Sequence, residues 1–178
     1  MAVGVPEYDV SVTADELKKR LQLEPHPCEG GCFRQTWRAD ETIPKTVLPV
    51  RYPADRNAGT AIYYLLEPHT FSELHRLASD EIFHFYLGDP VEMLQLWPDG
   101  RVQTVVLGQN LEAAMHVQLH VPKNVWQGSR LLPGGKFALL GCTVSPGFDY
   151  DDYESGNRNA LLQQYPQAAE MILLLTHE

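Results

Sequence analysis

The densest run of titratable side chains in the sequence lies between residues 72 and 86 and reads SELHRLASDEIFHFY. Successive side chains of a strand point to opposite faces. Two strands joined by a tight turn would therefore carry His75 and Leu77 on one face of the first strand, and Glu81 and Phe83 on one face of the second. The imidazole of His75 and the carboxylate of Glu81 can then face one interior.

The same alternation makes two further predictions about this run. It places Phe71 and Glu73 on the face of His75. It also turns His84 away from the face of Glu81, unless a bulge intervenes. These placements decide which side chains can reach a ligand inside the fold.

An imidazole and a carboxylate that share an interior can orient an organic ligand, exchange protons with it or hold a metal ion. A neutral His75 can take a proton next to a sugar carbonyl. Glu81 or Asp149 would orient the imidazole, and Tyr86 or Tyr64 would return a proton. The alternative is structural, because buried polar groups usually serve hydrogen bonding first, and the pair would then only close the turn.

The elements around this run have the pattern of short strands separated by turns. The predicted strands are 32–38, 60–66, 70–77, 81–87, 92–96, 102–107, 115–121 and 136–144. Turn sequences such as GDP at 88–90 and PDG at 98–100 recur at the spacing of an antiparallel sandwich or barrel. A small barrel has room inside for one small ligand.

The whole chain, residues 1–178, is predicted to form a single domain. Its first element is a short helix over residues 13–21. Thr13 and Glu16 stand three residues apart at its start, which is the spacing of a capping box.

The remaining boundaries follow from changes in pattern. The barrel is predicted over residues 28–148 and includes a proline-containing arm, 39–59, which we expect to be a loop without a helix. Residues 149–178 are predicted as a tail with short helices at 159–164 and 167–175.

Composition restricts the partners. The formal net charge is −9, and the fractions of hydrophobic and charged residues, 44% and 21%, are those of a globular protein. An acidic chain is poorly suited to neutralise phosphate backbones, so we expect no nucleic-acid partner.

No apolar stretch is long enough to span a bilayer, and residues 1–10 lack the layout of a secretion signal. We therefore expect no membrane partner and a cytoplasmic location.

The three cysteines are an odd number for a chain of this size, so we expect reduced thiols rather than a disulfide framework. Two of them, Cys28 and Cys32, form a second possible ligand set with His26, but zinc signatures generally come as two close pairs. We interpret these three residues as ordinary parts of a Gly-Gly turn. Cys142 lies in an apolar strand and is interpreted as a small core residue.

The run around His75 resembles the first motif of the cupin superfamily, in which His-x-His is followed by Glu and then by Gly. The sequence has His75, Leu77 where the second His belongs, then Glu81 and Gly88. One of the two motif imidazoles is thus replaced by an aliphatic side chain that cannot ligate.

Residues 122–127, which read PKNVWQ, look like the second cupin motif, with Asn124 for its Gly and Gln127 for its ligand His. The wider pattern over residues 23–153 is similar to a subfamily of largely uncharacterised single-domain cupins with HRLxSDExxHFYxGDP and PGFD signatures. The resemblance implies a mainly β chain, folded as a cupin-type antiparallel β-barrel (jelly roll) with a short N-terminal helix and short C-terminal helices.

Metals in cupins are usually held by imidazoles and one carboxylate, and two of the four ligand positions are changed here. The resemblance therefore assigns no cofactor with a full ligand set. A divalent metal, if one binds, would be held by His75, Glu81 and Gln127.

Localised cations in an acidic protein suggest an anionic ligand, and aromatic rings can stack on a base or a sugar. The predicted ligand-binding side chains are Arg34, Tyr64, Ser72, His75, Glu81, Phe83, His84, Trp126, Gln127 and Asp149. The predicted catalytic side chains are His75, Glu81 and Tyr86.

Three functions remain open. The first is binding of a small anionic metabolite, such as a nucleotide or nucleotide-sugar. The second is a metal-independent sugar epimerase or isomerase with His75 as base, because the rhamnose-pathway epimerases look like cupins without a metal and use an interior His at a position resembling Leu74-His75. The third is a metal-dependent cupin enzyme.

A homodimer is expected, because antiparallel sheets leave unpaired edges and cupins commonly share them.

Overall fold

The chain folds around two facing antiparallel sheets. The structure is a computed structural model that describes residues 12–177, so the prediction about residues 1–10 lies outside the described range. The strands are β1 (Glu24–Pro25), β2 (Cys32–Arg38), β3 (Thr42–Ile43), β4 (Arg56–Asn57), β5 (Thr60–Leu66), β6 (Phe71–Leu77), β7 (Asp80–Gly88), β8 (Val91–Leu96), β9 (Val102–Leu107), β10 (Gln118–Val121), β11 (Trp126–Leu131), β12 (Ala138–Ser145) and β13 (Tyr153–Ser155). The α-helices are α1 (Ala14–Leu21), α2 (Arg158–Gln164) and α3 (Ala169–Leu174). Within residues 12–177, no helix has the length and hydropathy of a membrane span.

The six-stranded sheet has the order β1-β2-β5-β12-β7-β10, and the five-stranded sheet has the order β13-β6-β11-β8-β9. Strand pairs within both sheets are antiparallel. The main core lies between the sheets and contains Tyr64, Phe83 and Leu140 from one sheet and Met93 and Leu131 from the other. The predicted fold class, mainly β and antiparallel with short helices near both ends, is confirmed.

Strand β11 is the main element that the sequence did not predict. It is the middle strand of the five-stranded sheet and pairs with β6 and β8. Its residues read WQGSRL, with Gln127, Gly128 and Ser129 all buried. Because both faces of this strand are covered and polar side chains occupy buried positions, it shows no alternation of apolar and polar residues.

The arm at residues 39–59 also differs from the predicted loop. Strands β3 and β4 pair with each other as a small ribbon, and Lys45–Val47 forms a 3₁₀ turn. The turn is closed by a hydrogen bond of 3.0 Å from the Val47 N–H to the Pro44 carbonyl. Such a short element rests on local hydrogen bonds, which hydrophobic periodicity does not report.

Helix α1 begins at the predicted capping box. The Thr13 N–H donates to Glu16 Oε2 at 2.9 Å, and the Glu16 N–H donates to Thr13 Oγ1 at 3.3 Å. On the other side of the helix, Leu17 is buried against a cluster that includes Leu65 and Leu139. The helix therefore covers part of the outer face of the six-stranded sheet.

Helices α2 and α3 cover the outer face of the five-stranded sheet. Leu161 and Ile172 from the helices are buried in one cluster with Leu74 and Trp126 from the strands. Since this cluster takes the outward-facing apolar side chains of β6 and β11, the alternate positions on these strands face the barrel interior.

A bulge in β6 sets which of its side chains face inward. Gln127 lies opposite His75, but Ser129 lies opposite Ser72, so β6 carries one more residue than β11 in this interval. The bulge reverses the alternation, and Phe71 consequently packs against the outer helical cluster. The prediction that Phe71 shares the face of His75 is wrong for this reason.

Candidate functional site

A cavity of about 290 Å³ lies between the two sheets. Its polar lining includes His26, Glu29, Arg38, His75, Glu81 and Asp149. Apolar side chains, among them Phe33, Ile62, Leu77 and Val144, form much of the remaining wall. The cavity thus combines titratable groups with an apolar wall, the usual make-up of a small-molecule site.

His75 enters the cavity from β6 with its ring orientation fixed on two sides. Its Nδ1 lies 2.8 Å from the carbonyl oxygen of Glu73, and its ring stacks on Tyr153 with centroids 4.9 Å apart. A carbonyl oxygen only accepts hydrogen bonds, so Nδ1 carries the hydrogen. In the neutral ring the lone pair is therefore on Nε2, which can serve as an acceptor or a base.

Glu81 enters the same cavity from the start of β7 and is 7% exposed. Burial raises the pKa of Glu81 to about 7, because the charged carboxylate loses water, while the nearby His75 opposes this effect. The Gln127 Nε2–H donates to Glu81 Oε2 and also favours the charged form. Near neutral pH the carboxyl of Glu81 can hold or release a proton.

His26 and Glu29 also line the cavity, although sequence reasoning did not include them in the site. The hydroxyl of Ser72 donates to Glu29 Oε1, and His26 Nε2 lies 3.9 Å from Glu29 Oε2. The turn that brings them there needs glycine, since Gly30 has a φ of +96° and a Cβ on it would lie 2.3 Å from a backbone oxygen of β6. In the sequence, a His and a Glu next to two adjacent glycines were the signal that could have identified these residues as part of the site.

The cavity rim combines β2 with the segment that follows β12. The Arg38 guanidinium donates to Asn57 Oδ1 at 2.6 Å and to the Phe148 carbonyl at 3.5 Å. A third acceptor is Gln35 Oε1, at 3.4 Å from Arg38 Nε. All three acceptors are neutral, and within the described residues Arg38 has no ion-pair partner. Asp149 and the half-exposed ring of Tyr150 complete the rim.

Several predicted site residues support the cavity from behind rather than lining it. Gln127 holds Glu81, and Ser72 holds Glu29. The Tyr64 hydroxyl donates to the carbonyl of Gly30 at 2.9 Å and so fastens the glycine turn. Phe83, also predicted, lies in the core between the sheets.

The structure places the other predicted side chains on outer faces. Tyr86, at 43% exposure, lies across Gly141 on the outside of the six-stranded sheet. His84 also lies on that face, where its Nε2 is 3.1 Å from Thr143 Oγ1. The pairing of β7 is regular from Glu81 to Phe85, so His84 has the opposite parity to Glu81 and points away from the cavity. A register shift against β12 falls between Phe85 and Leu87, so Tyr86 lies at a bulge, with its side chain on the outer face.

Arg34 and Trp126 face outward for the same reason. Arg34 lies between the inward-facing residues of β2 and stands over the ring of Tyr63 at 5.9 Å. Trp126 is next to Gln127 on β11 and is covered by Arg76, whose guanidinium carbon lies 4.5 Å from the ring centroid. Of the ten predicted ligand-binding residues, the cavity lining contains His75, Glu81 and Asp149.

The donors present do not fit a cupin-type metal centre. In residues 12–177, no group of three His, Cys, Asp or Glu side chains is arranged to hold a metal ion. Leu77 brings an aliphatic side chain to the lining, and Gln127 presents an N–H group to Glu81. The amide N–H that Gln127 turns towards Glu81 has no lone pair to offer a metal ion, and an aliphatic side chain has none either.

Two facing antiparallel sheets around a central cavity define a jelly-roll barrel. The sequence profile described as the Cupin superfamily (DUF985) matches residues 15–156, and the chain belongs to this family. The predicted superfamily is therefore confirmed.

Relatives share this fold over most of the chain. The chain is 30% identical over 161 residues to the uncharacterised protein YML079W of Saccharomyces cerevisiae, covering 85% of this chain and 79% of the relative. It is similar to the structure of a hypothetical protein from Leishmania major, with a TM-score of 0.84, 32% identity, and coverage of 94% of this chain and 100% of that one. It is also similar to protein SO0799 of Shewanella oneidensis, with a TM-score of 0.81, 35% identity, and coverage of 93% and 98%.

Proposed function

We propose that the cavity binds a small organic ligand that carries an anionic group. The observation that carries this proposal is Arg38, a cation at the rim whose hydrogen-bond acceptors in the described residues are neutral. In a chain with a net charge of −9, a cation beside a cavity without a carboxylate partner is a favourable site for an anion. Phosphate and carboxylate match a guanidinium best, because they accept two of its hydrogen bonds at once.

The size of the cavity limits how much of the ligand is enclosed. At about 290 Å³ it lies at the lower end of the range for small-molecule pockets, which is roughly 300–1,000 Å³. A nucleotide or nucleotide-sugar would therefore place one ring-sized group inside and the rest outside the rim. The half-exposed ring of Tyr150 at the rim offers a surface on which a base can stack.

The interior groups favour a hydroxylated ligand. Glu29 and Glu81 present carboxyl oxygens and His75 presents Nε2, so the inner cavity is rich in acceptors. Sugar hydroxyls are donors that match such acceptors. Apolar side chains such as Phe33 and Ile62 then cover the faces of the ring.

Calorimetric titration with glucose, glucose 6-phosphate, UMP and UDP-glucose tests this proposal. We expect binding of the phosphorylated probes, and a loss of affinity of about tenfold or more in Arg38→Gln, because hydrogen bonds to charged groups contribute about 1.5–3 kcal/mol. Arg34→Gln is the matched control, because Arg34 lies on the outer face of the same strand. Binding by none of the four probes, or equal affinities in Arg38→Gln and wild type, would disprove the proposal.

A second candidate function is a metal-independent isomerase or epimerase that acts on a sugar-like ligand. The observation in its favour is that the Nε2 lone pair of His75 and a carboxyl with a pKa of about 7 face one cavity. In this candidate, His75 Nε2 takes a proton from the carbon next to a carbonyl, the C–H electron pair forms a C=C bond, and the carbonyl π pair moves to the oxygen. The carbonyl then re-forms, the C=C electron pair takes the proton of protonated Glu81 at carbon, and Glu81 becomes a carboxylate; the outward-facing Tyr86 takes no part.

Solvent-deuterium exchange into fructose 6-phosphate tests the second candidate. Deuterium is expected at the carbon next to the carbonyl in wild type, with a loss of at least 100-fold in His75→Gln, since general-base catalysis contributes about 10²–10⁴-fold. Exchange that persists in His75→Gln would remove His75 as the base. The Tyr86→Phe variant is the control and is expected to keep the wild-type rate.

A further inference from the structure

The ring of His26 is held by two backbone N–H groups. The Glu29 N–H donates to His26 Nδ1 at 2.9 Å, and the Cys28 N–H approaches the same atom at 3.4 Å. A backbone nitrogen only donates, so Nδ1 accepts and carries no hydrogen. The hydrogen of the neutral His26 ring therefore lies on Nε2.

His75 has the opposite tautomer. Its Nδ1 donates to the Glu73 carbonyl, so its Nε2 is the atom without hydrogen. Both rings line the same cavity. The cavity thus contains one imidazole that donates through Nε2 and one that accepts through Nε2.

The surroundings keep His26 neutral. Its side chain is only 4% exposed, and burial lowers the pKa of His26, with the nearby His75 acting in the same direction. The carboxylates of Glu29 and Glu73 oppose this shift to a smaller extent. Protonation of Nδ1 would also break the hydrogen bonds from the two backbone N–H groups, so the ring remains an N–H donor.

We propose that His26 is a second ligand-binding imidazole of this cavity and that His26 and His75 together recognise an α-hydroxycarbonyl group. The carbonyl oxygen accepts a hydrogen bond from the His26 Nε2–H, and the hydroxyl on the adjacent carbon donates to His75 Nε2. This inference rests on the proposed function, in which the cavity binds a small anionic ligand. It adds the chemical class of the group that the cavity encloses, and it identifies His26 as a residue that recognises this group.

The pairing explains why two different tautomers are useful. Two acceptors would bind hydroxyl groups but would leave a carbonyl oxygen without a hydrogen-bond donor. A buried N–H donor is left unpaired by a ligand that lacks the acceptor, and an unpaired buried donor costs about 1–3 kcal/mol. The donor His26 therefore offers a carbonyl oxygen the hydrogen bond that the acceptors Glu29 and His75 cannot offer.

The tautomers can be measured in the free protein by long-range ¹H–¹⁵N NMR at pH 7. We expect a protonated Nε2 and an unprotonated Nδ1 for His26, and the reverse for His75. The same tautomer in both rings, or a doubly protonated His26 at pH 7, would overturn the inference without affecting the proposed anion binding.

Two matched probes test the recognition itself: dihydroxyacetone phosphate, an α-hydroxyketone, and 3-hydroxypropyl phosphate, which keeps the hydroxyl and the phosphate but lacks the carbonyl oxygen. Wild type is expected to prefer the ketone by about tenfold. His26→Phe, which keeps a ring without a donor, should abolish this preference, and His26→Gln, which restores an N–H donor, should recover part of it.

The outcomes separate this inference from the proposed function. Equal binding of both probes by wild type overturns the role of His26 while anion binding stands. A preference that survives in His26→Phe overturns it as well. If wild type binds one of the four probes used for Arg38 but neither matched probe, the role of His26 is overturned and anion binding stands. If wild type binds none of the six probes, both proposals are overturned.

Discussion

The side-chain amide of Gln127 crosses the barrel to donate a hydrogen bond to Glu81 Oε2, and its own Oε1 is buried without a partner in the described structure. Gln127 comes from the middle strand of one sheet and Glu81 from the other sheet. The position that resembles a metal-ligating His in cupins therefore carries a group that stabilises the charged form of a carboxyl. Proton chemistry at Glu81 is the first property to test.

Replacing Gln127 with Leu should raise the pKa of Glu81 further, by about one unit. The amide donor stabilises the carboxylate, and without it the buried charge is less favourable. A ¹³C NMR titration of the Glu carboxyl signals measures this shift. Gln95→Leu is the matched control, because Gln95 is also buried, lies opposite Gln127 on β8 and directs its amide to Met93. A Glu81 pKa that is unchanged or lower in Gln127→Leu would contradict the assignment.

The pKa of about 7 at Glu81 predicts a specific dependence of stability on pH. The unfolded carboxyl has a pKa near 4.5, so between pH 4.5 and 7 the folded state holds a proton that the unfolded state has lost. The stability of wild type relative to Glu81→Gln should therefore fall as pH rises through this interval. The expected fall is about 3 kcal/mol, since each pKa unit corresponds to about 1.4 kcal/mol.

Urea unfolding of wild type and Glu81→Gln at pH 5, 6, 7 and 8 checks this prediction. The difference between the two proteins removes the contributions of groups that titrate in both. His75, Glu29 and Cys142 surround the carboxyl and are present in both proteins. A difference that stays constant over the range, or that increases with pH, would show that Glu81 is charged in the folded state throughout.

Strand alternation and a short turn are enough to predict that His75 and Glu81 face one interior, and the structure brings both into one cavity. The same rule applied strictly turns His84 and Tyr86 outward, as the structure shows. The alternation rule failed for Phe71, because a bulge in β6 reverses which face its side chain points to. The sequence contains no separate signal for this bulge.

Residues without periodicity were the hardest to place. Gln127 was identified only by resemblance, because β11 has buried polar side chains and a central glycine instead of an apolar pattern. His26 and Glu29 lie in a turn, and their position depends on long-range contacts with Ser72 and Tyr64. Such contacts form only when the barrel closes, so local sequence patterns do not contain them.

The bulge that orients His75 depends on Gly128. A Cβ at this position would lie 3.0 Å from the Leu74 nitrogen and 3.1 Å from its Cα, which are backbone atoms in the bulge. Gly128→Ala should therefore destabilise the fold by about 1–3 kcal/mol, the usual cost of overpacking. Urea unfolding gives the value, and the weakened binding of glucose 6-phosphate reports the displacement of His75.

Gly141→Ala is the comparison for Gly128→Ala. A Cβ at Gly141 would meet the hydroxyl and ring of Tyr86, which is half-exposed and can swing away. We expect a smaller loss of stability and unchanged binding of glucose 6-phosphate. Equal effects of the two substitutions would argue against a special role for the bulge.

Arg56 and Asp152 form a buried ion pair that links the arm to the segment that forms the cavity rim. Arg56 Nε and Nη2 each donate to one Asp152 oxygen at 2.6 Å, and both side chains are 2% exposed. Asp152→Asn keeps the size but leaves the Arg56 charge buried without a partner. The expected loss in the free energy of unfolding is about 3–5 kcal/mol, measured by urea unfolding.

Two further variants show whether the buried charge of Arg56 causes the loss of stability in Asp152→Asn. Glu154→Gln removes one partner of the exposed pair with Arg76, two residues further along, and should cost less than about 1 kcal/mol. The double substitution Arg56→Met with Asp152→Leu removes both buried charges and should recover much of the stability lost in Asp152→Asn. If Asp152→Asn costs no more than Glu154→Gln, the buried pair does not hold the rim. The rim residues Asp149 and Tyr150 would then be positioned by local hydrogen bonds, such as the one from the Asp151 N–H to Asp149 Oδ1 at 3.0 Å.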